Sequence, residues 1–474
     1  MKMKTLLTLC GLLLAQLLPG QSTIGTEFWL GYMENLDLAF NDPPVFTLYV
    51  DAAQTTTVTV EVPQTGLVLN FTATAGTTTD YTLPSAIWYT ENSEVIDNKG
   101  IKVTADAPIQ LYAFHYRAYF SESTLVLPIT ELDTDYWLPC FYDDYGSNSP
   151  SSFVIVSTAD DNEIEITPSN FTLGLHPAGV PFTVTLDAGQ NYPVQAIGDL
   201  TGSRVRSLSD QPIAIFSGAQ EANVELCAAN SHLYDQAIPN SLWGTEYYFV
   251  PLRGQGGDVV KILAQEDGTQ VYFNCALETT LDAGEFYRVE LSAPTVINAQ
   301  LPITVAQFNS SQECNPSGVG DPNMLQLVST DHQGFSSRFV SPSETNGLGN
   351  AYFSDHFANV VTATADVAAI QLDGASIASE FTPFPNNIDF SYAQLEVGRG
   401  QHHLQSTAPF YAYAYGFGDY DAYTHNLGYS AEVPVELLCL EIQTDGVYCV
   451  DSLIQFTALS NQAIVGYSWD FGNT

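Results

Sequence analysis

Apolar positions in this 474-residue chain alternate with polar ones far more often than they recur every three or four residues. Residues 55–62, 152–156, 163–167 and 259–263 carry β-branched and aromatic side chains at a period of two, which predicts strands. Clusters of Gly, Asn, Asp and Pro separate these stretches at short intervals, as turns do. Helical patterning is nearly absent. The pattern predicts an all-β chain of sandwiches or barrels.

The pattern also repeats. A strand, a proline and an alternating strand appear as KVTADAPIQLYAFH from Lys102 and as VRSLSDQPIAIFSGA from Val205. They return as INAQLPITVAQFNS from Ile297 and HLQSTAPFYAYAYG from His403. A second element, LDAGQNYPV and LDAGEFYRV, starts at Leu186 and Leu281. Paired aromatics open each copy: Phe28-Trp29, Tyr136-Trp137, Tyr247-Tyr248 and, more loosely, Tyr352-Phe353. A spacing of about 100 residues matches one β-sandwich domain. Four related β-units are expected, at residues 25–130, 131–240, 241–330 and 331–432, within a region spanning 22–432. Each shared proline is expected where a strand begins, a place that needs no N–H donor. Phe114, Ile215, Val305 and Tyr413 follow it and should be buried. Tandem or fused sandwiches are the leading arrangement, and a propeller-like ring is the alternative.

The first 21 residues read as a signal peptide. Lys2 and Lys4 precede an apolar run at residues 6–18, too short to span a bilayer, and a small polar segment follows. Cys10 is no lipidation site, because Leu9 is too large for the cleavage motif. No later run is apolar enough for a membrane span, so an exported chain is expected. Charge sharpens this picture: 12 Lys and Arg stand against 53 Asp and Glu, a net −41. Such a surface repels nucleic acid, which needs a basic footprint. With 45% hydrophobic residues the chain still has ample material for cores. Six cysteines follow the signal, at 140, 227, 275, 314, 439 and 449. An even number without CxxC spacing favours disulfides over zinc. Cys439 and Cys449 flank Asp445-Gly446, which suits a local bridge across a hairpin.

Two stretches carry a family resemblance. YSWDFGNT at the end of the chain resembles the start of a PKD domain, an Ig-like sandwich of which residues 433–474 hold a linker and a part. The larger resemblance is to the N-terminal domain of the IgGFc-binding protein family, found in Bacteroidetes-type surface proteins. It rests on GTEFWLGYMEN from Gly25, HLYDQAIPNSLWGTEYYFVPL from His232, and Gly320-Asp321-Pro322-Asn323-Met324 after Cys314. The resemblance implies a cross-link network that includes Cys227 and Cys314, since both lie in segments similar to the family's cysteine-bearing regions. Glu221 and Asn230 stand near places where relatives carry cysteine. Bacterial relatives with PKD repeats also imply a type IX sorting signal further along the protein.

Motifs for catalysis are missing. There is no nucleophile elbow, HExxH, P-loop, GxGxxG before a helix, or EF-hand loop. His402 and His403 are neighbours on a strand and point to opposite faces, so they cannot chelate together. His115 reads as a packed histidine. His232 with Asp235 is the most interesting polar group; the expectation is that His232 and Gln236 hydrogen-bond a crossover between units two and three. Acidic turns at Asp143-Asp144 with Ser147 and Asn148, at Asp160-Asp161 with Asn162, and at Asp419 with Asp421 offer oxygen ligands for a structural calcium, but match no stereotyped loop. Ordinary solvated turns are the preferred reading. Tyr411, Tyr413, Tyr415 and Phe417 share one strand face, either core or a sugar-stacking platform, with core preferred.

No catalytic or cofactor-binding residue is therefore expected. The leading function is a non-catalytic binding or adhesive module of a larger secreted or cell-surface protein, with an extracellular protein or glycan as ligand. The alternative is the accessory region of a secreted polysaccharide- or protein-degrading hydrolase whose catalytic domain lies beyond Thr474. A purely structural stalk is the third reading.

Overall fold

Four long strands organise the fold. In the computed structural model, which describes residues 22–35, 43–146, 148–343 and 352–428, three of them are continuous: Ile101–Tyr116, Thr295–Phe308 and Gly400–Gly418. The fourth is split into Ser203–Ser207 and Ile213–Ala222. Each changes partners half-way along. Residues 101–105 pair with Gly25–Leu30 and Thr56–Val62, whereas 109–116 pair with Val45–Ala52 and Glu122–Val126. The same exchange occurs in the strands from Thr295 and Gly400. In the split copy the two halves belong to separate four-stranded sheets. Each unit is thus two antiparallel layers joined by one strand that passes from one layer to the other, a known way of turning a sandwich corner.

The shared prolines mark that corner, which corrects the expectation that they begin strands. Pro212 does precede the strand from Ile213, but Pro108, Pro302 and Pro409 lie inside continuous strands. They sit where one set of ladder partners ends and the next begins, so the missing N–H costs no ladder bond. Phe114, Ile215, Val305 and Tyr413, all beyond the corner, are buried. The paired aromatics occupy the first strand of units one to three. In unit four that strand, Gly334–Ser341, carries Phe339 instead. Tyr352 and Phe353 lie outside it and face Tyr116 of unit one.

Apolar clusters then join the units in a closed cycle. Tyr32 and Leu48 share a core with Val154 and Phe216, linking units one and two. Phe141, Leu233, Phe308 and Met324 link two and three. Val260 and Ile262 pack with Tyr411, Tyr413 and Tyr415, linking three and four, so the tyrosine face is core rather than a platform. Tyr112 and Phe114 meet Phe353 and Tyr423, closing four onto one. The described residues accordingly form one compact unit. The four sandwiches are arranged as a ring. Expectations for the signal segment, Cys439 and Cys449, the PKD-like stretch and any sorting signal fall outside the described residues.

Candidate functional site

Each unit ends in a short strand that is the edge of its second layer: Glu122–Val126, Ser231–Gln236, Met324–Leu327 and Asp421–Asn426. These four closing strands meet at the centre of the ring without pairing with one another. Side chains satisfy their edges instead, as buried backbone groups require. Asp235 accepts the Thr124 hydroxyl at 2.6 Å and the Gln326 N–H at 2.9 Å. Glu122 accepts the N–H of Met324 at 2.8 Å. Gln236 takes the Leu127 N–H on Oε1 at 2.7 Å, and Asn426 donates to the Gln326 carbonyl at 2.7 Å. Burial pushes the Asp235 carboxyl up to about 7 and Glu122 well above its ordinary value. Asp235 and Gln236 therefore lock units one, two and three together. His232 behaves differently from expectation: its Nδ1 meets the Gln220 carbonyl of its own unit at 2.9 Å, and its ring faces His115.

The hub has a consequence at one end of the ring. The loops that lead into the closing strands, residues 117–121, 223–230, 309–323 and 419–420, all emerge together there. A disulfide joins Cys227 to Cys314 across 87 residues, with Cα atoms 6.0 Å apart. Asp421 accepts the N–H groups of Tyr119 and Ser121 from the neighbouring unit. Gln312 receives the Tyr420 N–H at 2.9 Å and donates to Asp419 at 3.2 Å. The Tyr119 and Tyr420 rings meet edge to face at 6.5 Å. Four loops from four units make a single cross-braced surface.

Its tips are unusual. Tyr119, Glu225 and Tyr420 all have positive φ, at 72°, 61° and 53°. Side chains bearing a Cβ rarely adopt this conformation, which persists where neighbours over-determine it and clusters at ligand-contacting sites. Beside them Leu226 is 76% exposed and Tyr119 46% exposed. Tyr119, Leu226 and Tyr420 give its tips apolar and aromatic surface, and Glu225, Glu313 and Asp419 supply acidic groups beside them. A rigid aromatic surface of this kind can bind a partner with little loss of conformational entropy.

The other sequence candidates are accounted for by structural bonds. Asp143 accepts the Asn223 N–H, Asp144 holds Arg288, Asp160 accepts the Ala188 N–H, and Asp419 and Asp421 serve the loop surface. Among the described residues no group of three His, Cys, Asp or Glu side chains is placed to hold a metal. His402 bonds Asp373 while His403 bonds Ser336, so the neighbours serve separate partners. Cys140 is buried and Cys275 exposed, both unpaired. Sequence reasoning missed Lys261. It is buried between units two and three, bonded to Asp199 and to the Cys140 and Thr201 oxygens, with the Phe141 ring 4.4 Å away. The only signal for it in the sequence was a cation in an otherwise apolar strand.

The span from Glu122, one of the two hub carboxylates just described, to Gly416 matches the family model described as IgGFc binding protein. The chain belongs to that family. Among curated relatives, the human IgGFc-binding protein is 25% identical over 320 residues, 65% of this chain and 6% of that protein. The stretch alike in both is a small part of a far larger molecule. Of solved structures, a tetra-tandem repeat in the extending region of a large adhesion protein aligns with 81% of this chain and 93% of its own, at 11% identity. Its TM-score of 0.10 gives that likeness no weight. Family and relative are both named for binding rather than for catalysis. Among the described residues no helix is long and apolar enough to cross a membrane.

Proposed function

We propose that this chain is a non-catalytic, extracellular protein-binding module of a larger secreted or surface-attached protein, and that the four-loop end of the ring takes the ligand. The observation that carries the reading is the convergence of four loops into one disulfide-braced surface with strained, exposed tips. Three facts support it further. The family is named for a binding activity. A disulfide suits an oxidising compartment. The leader-like first 21 residues suit export. The IgG Fc fragment, the ligand named in the relatives' descriptions, is the first protein to test.

Immobilised Fc fragment should retain the chain, and Leu226→Asp should weaken retention at least tenfold while leaving the fold intact. Leu226 is so exposed that its replacement removes no core contact. Equal retention of the variant would move the site elsewhere. Retention on immobilised glycans instead of protein would replace the ligand class.

A further inference from the structure

A second surface lies at the outer edge of a unit-two layer, three strands across the sheet from the closing strand Ser231–Gln236. The outer edge of strand Asn191–Ala196 is covered by two non-sheet segments. Asp97 and Glu94 of unit one bond residues 191 and 193, and Leu173, in the loop between Asn162–Thr167 and Phe182–Leu186, bonds Gln195. Glu94 also meets His176 of that loop at 3.4 Å. Covering an edge in this way prevents stray strand pairing. These covers, however, turn large apolar side chains outward. Ile96, Phe171, Leu173, Leu175, Val180 and Ile197 are each more than 40% exposed, and Leu175 is 72% exposed. Leu175 also holds a φ of +72°. A bulky aliphatic residue is a conformational outlier there: its N–H closes a turn on the Thr172 carbonyl at 3.0 Å while its side chain stands in water.

We infer that this patch is an interface between two copies of the chain. Together with Val95, side chains of this size at these exposures leave on the order of 600 Å² per copy, so two facing patches bury on the order of 1,200 Å², the lower bound for a specific interface. A net charge of −41 opposes self-association in general, but at physiological salt only charges within about 8 Å interact strongly. Part of the negative charge beside the patch is balanced within the chain. Glu94 faces His176, and Lys99 bridges Glu91 at 3.2 Å and Asp97 at 3.0 Å. The same patch on a second molecule offers apolar surface to apolar surface, in the self-complementary manner of a two-fold dimer.

Sedimentation velocity of the full chain, in a Cys275→Ser background so that the exposed thiol cannot cross-link molecules, tests this directly. A reversible dimer should grow with concentration up to roughly 100 μM. It should strengthen as salt rises from about 50 to 300 mM, because screening weakens the like-charge repulsion. Leu175→Asp and Phe171→Asp should each weaken it at least tenfold with unchanged circular dichroism, while Leu226→Asp in the 223–230 loop leaves it intact. A chain that stays monomeric at both salts overturns the inference. So does a dimer indifferent to Leu175→Asp, or one that salt dissolves. A monomer that instead binds phosphatidylcholine vesicles through Leu175 would make the patch a lipid contact and equally overturn it.

Discussion

Asp235 accepts the backbone N–H of Gln326 at 2.9 Å, although the two residues are 91 positions apart and belong to different units. The same carboxylate holds Thr124 of a third unit. One side chain thus fixes three of the four closing strands, and their geometry decides where the four loops emerge. Asp235→Asn replaces an acceptor oxygen by a donor amide facing the same donors. A loss of about 2–3 kcal/mol is expected from unsatisfied buried groups, read as a lower urea midpoint with an unchanged slope. A change below about 0.5 kcal/mol would remove Asp235 from this role.

Buried ionisable groups make stability depend on pH from both sides. Burial pushes Asp258 up to about 7 and Asp421 up to about 8, from 3.8. These carboxyls keep a proton in the folded chain that the unfolded chain has released. Their contribution is complete below about pH 4 and is lost as pH climbs through 7 and 8. Burial lowers His232 and His356 to about 4, from 6.5. Their contribution is present above 6.5 and is lost as pH falls through 4. Between about pH 4 and 6.5 the two trends oppose each other, and above 6.5 the urea midpoint should fall until the pH has passed through 7 and 8. Asp258→Asn should flatten the alkaline fall relative to wild type at equal ionic strength.

Lys261 separates two explanations for its own burial. Burial lowers its pKa, and the Asp199 carboxylate opposes that shift. Lys261→Met keeps the aliphatic stem among Phe141, Phe286 and Phe308 and removes the charge together with its desolvation cost. It also leaves Asp199 without its cation, but that carboxylate is 26% exposed and keeps its Thr201 hydrogen bond, so the loss should be about 1 kcal/mol where packing dominates and about 3 kcal/mol where the pair does. Lys261→Ala leaves a cavity between units two and three and should cost about 3 kcal/mol or more. Thermal unfolding of the two variants side by side would show the difference, and equal losses would mean that the ion pair, not packing, matters there.

The repeat was legible because a two-residue alternation and a recurrent proline survive in the linear sequence. The prolines' structural place was not, since a strand that bends between layers reads like two strands separated by a turn. The candidate site was less visible still. Tyr119, Leu226, Glu313 and Tyr420 lie in four loops of unremarkable composition, and only ring closure brings them together. Gly320-Asp321-Pro322-Asn323-Met324 stood out for its resemblance, and in the structure it leads from the disulfide-bonded loop into a closing strand. The apolar loop at 168–181 looked like one more turn cluster, because periodicity cannot say that Phe171 and Leu175 face water.

Removing the Cys227–Cys314 disulfide should affect both stability and binding. A closed loop of 87 residues corresponds to about 4–5 kcal/mol in the chain-entropy description. The double Cys→Ser variant should lose a large share of that in urea unfolding. It should also release Fc fragment faster, because the 223–230 and 309–323 loops lose their mutual brace. Unchanged dissociation would show that the brace is not needed for binding. In the native protein a thiol reagent should label Cys275 and spare Cys140, whose thiol is buried and held well above its ordinary pKa.

Hydrogen–deuterium exchange of the full chain with and without saturating Fc fragment tests the proposed site most directly. New protection is expected in peptides covering residues 117–121, 223–230, 309–323 and 419–420, with none gained at 168–181. Protection of all four loops at once would mean that the ring end acts as a single binding surface. Protection confined to other segments, or no protection under saturating conditions, would contradict it.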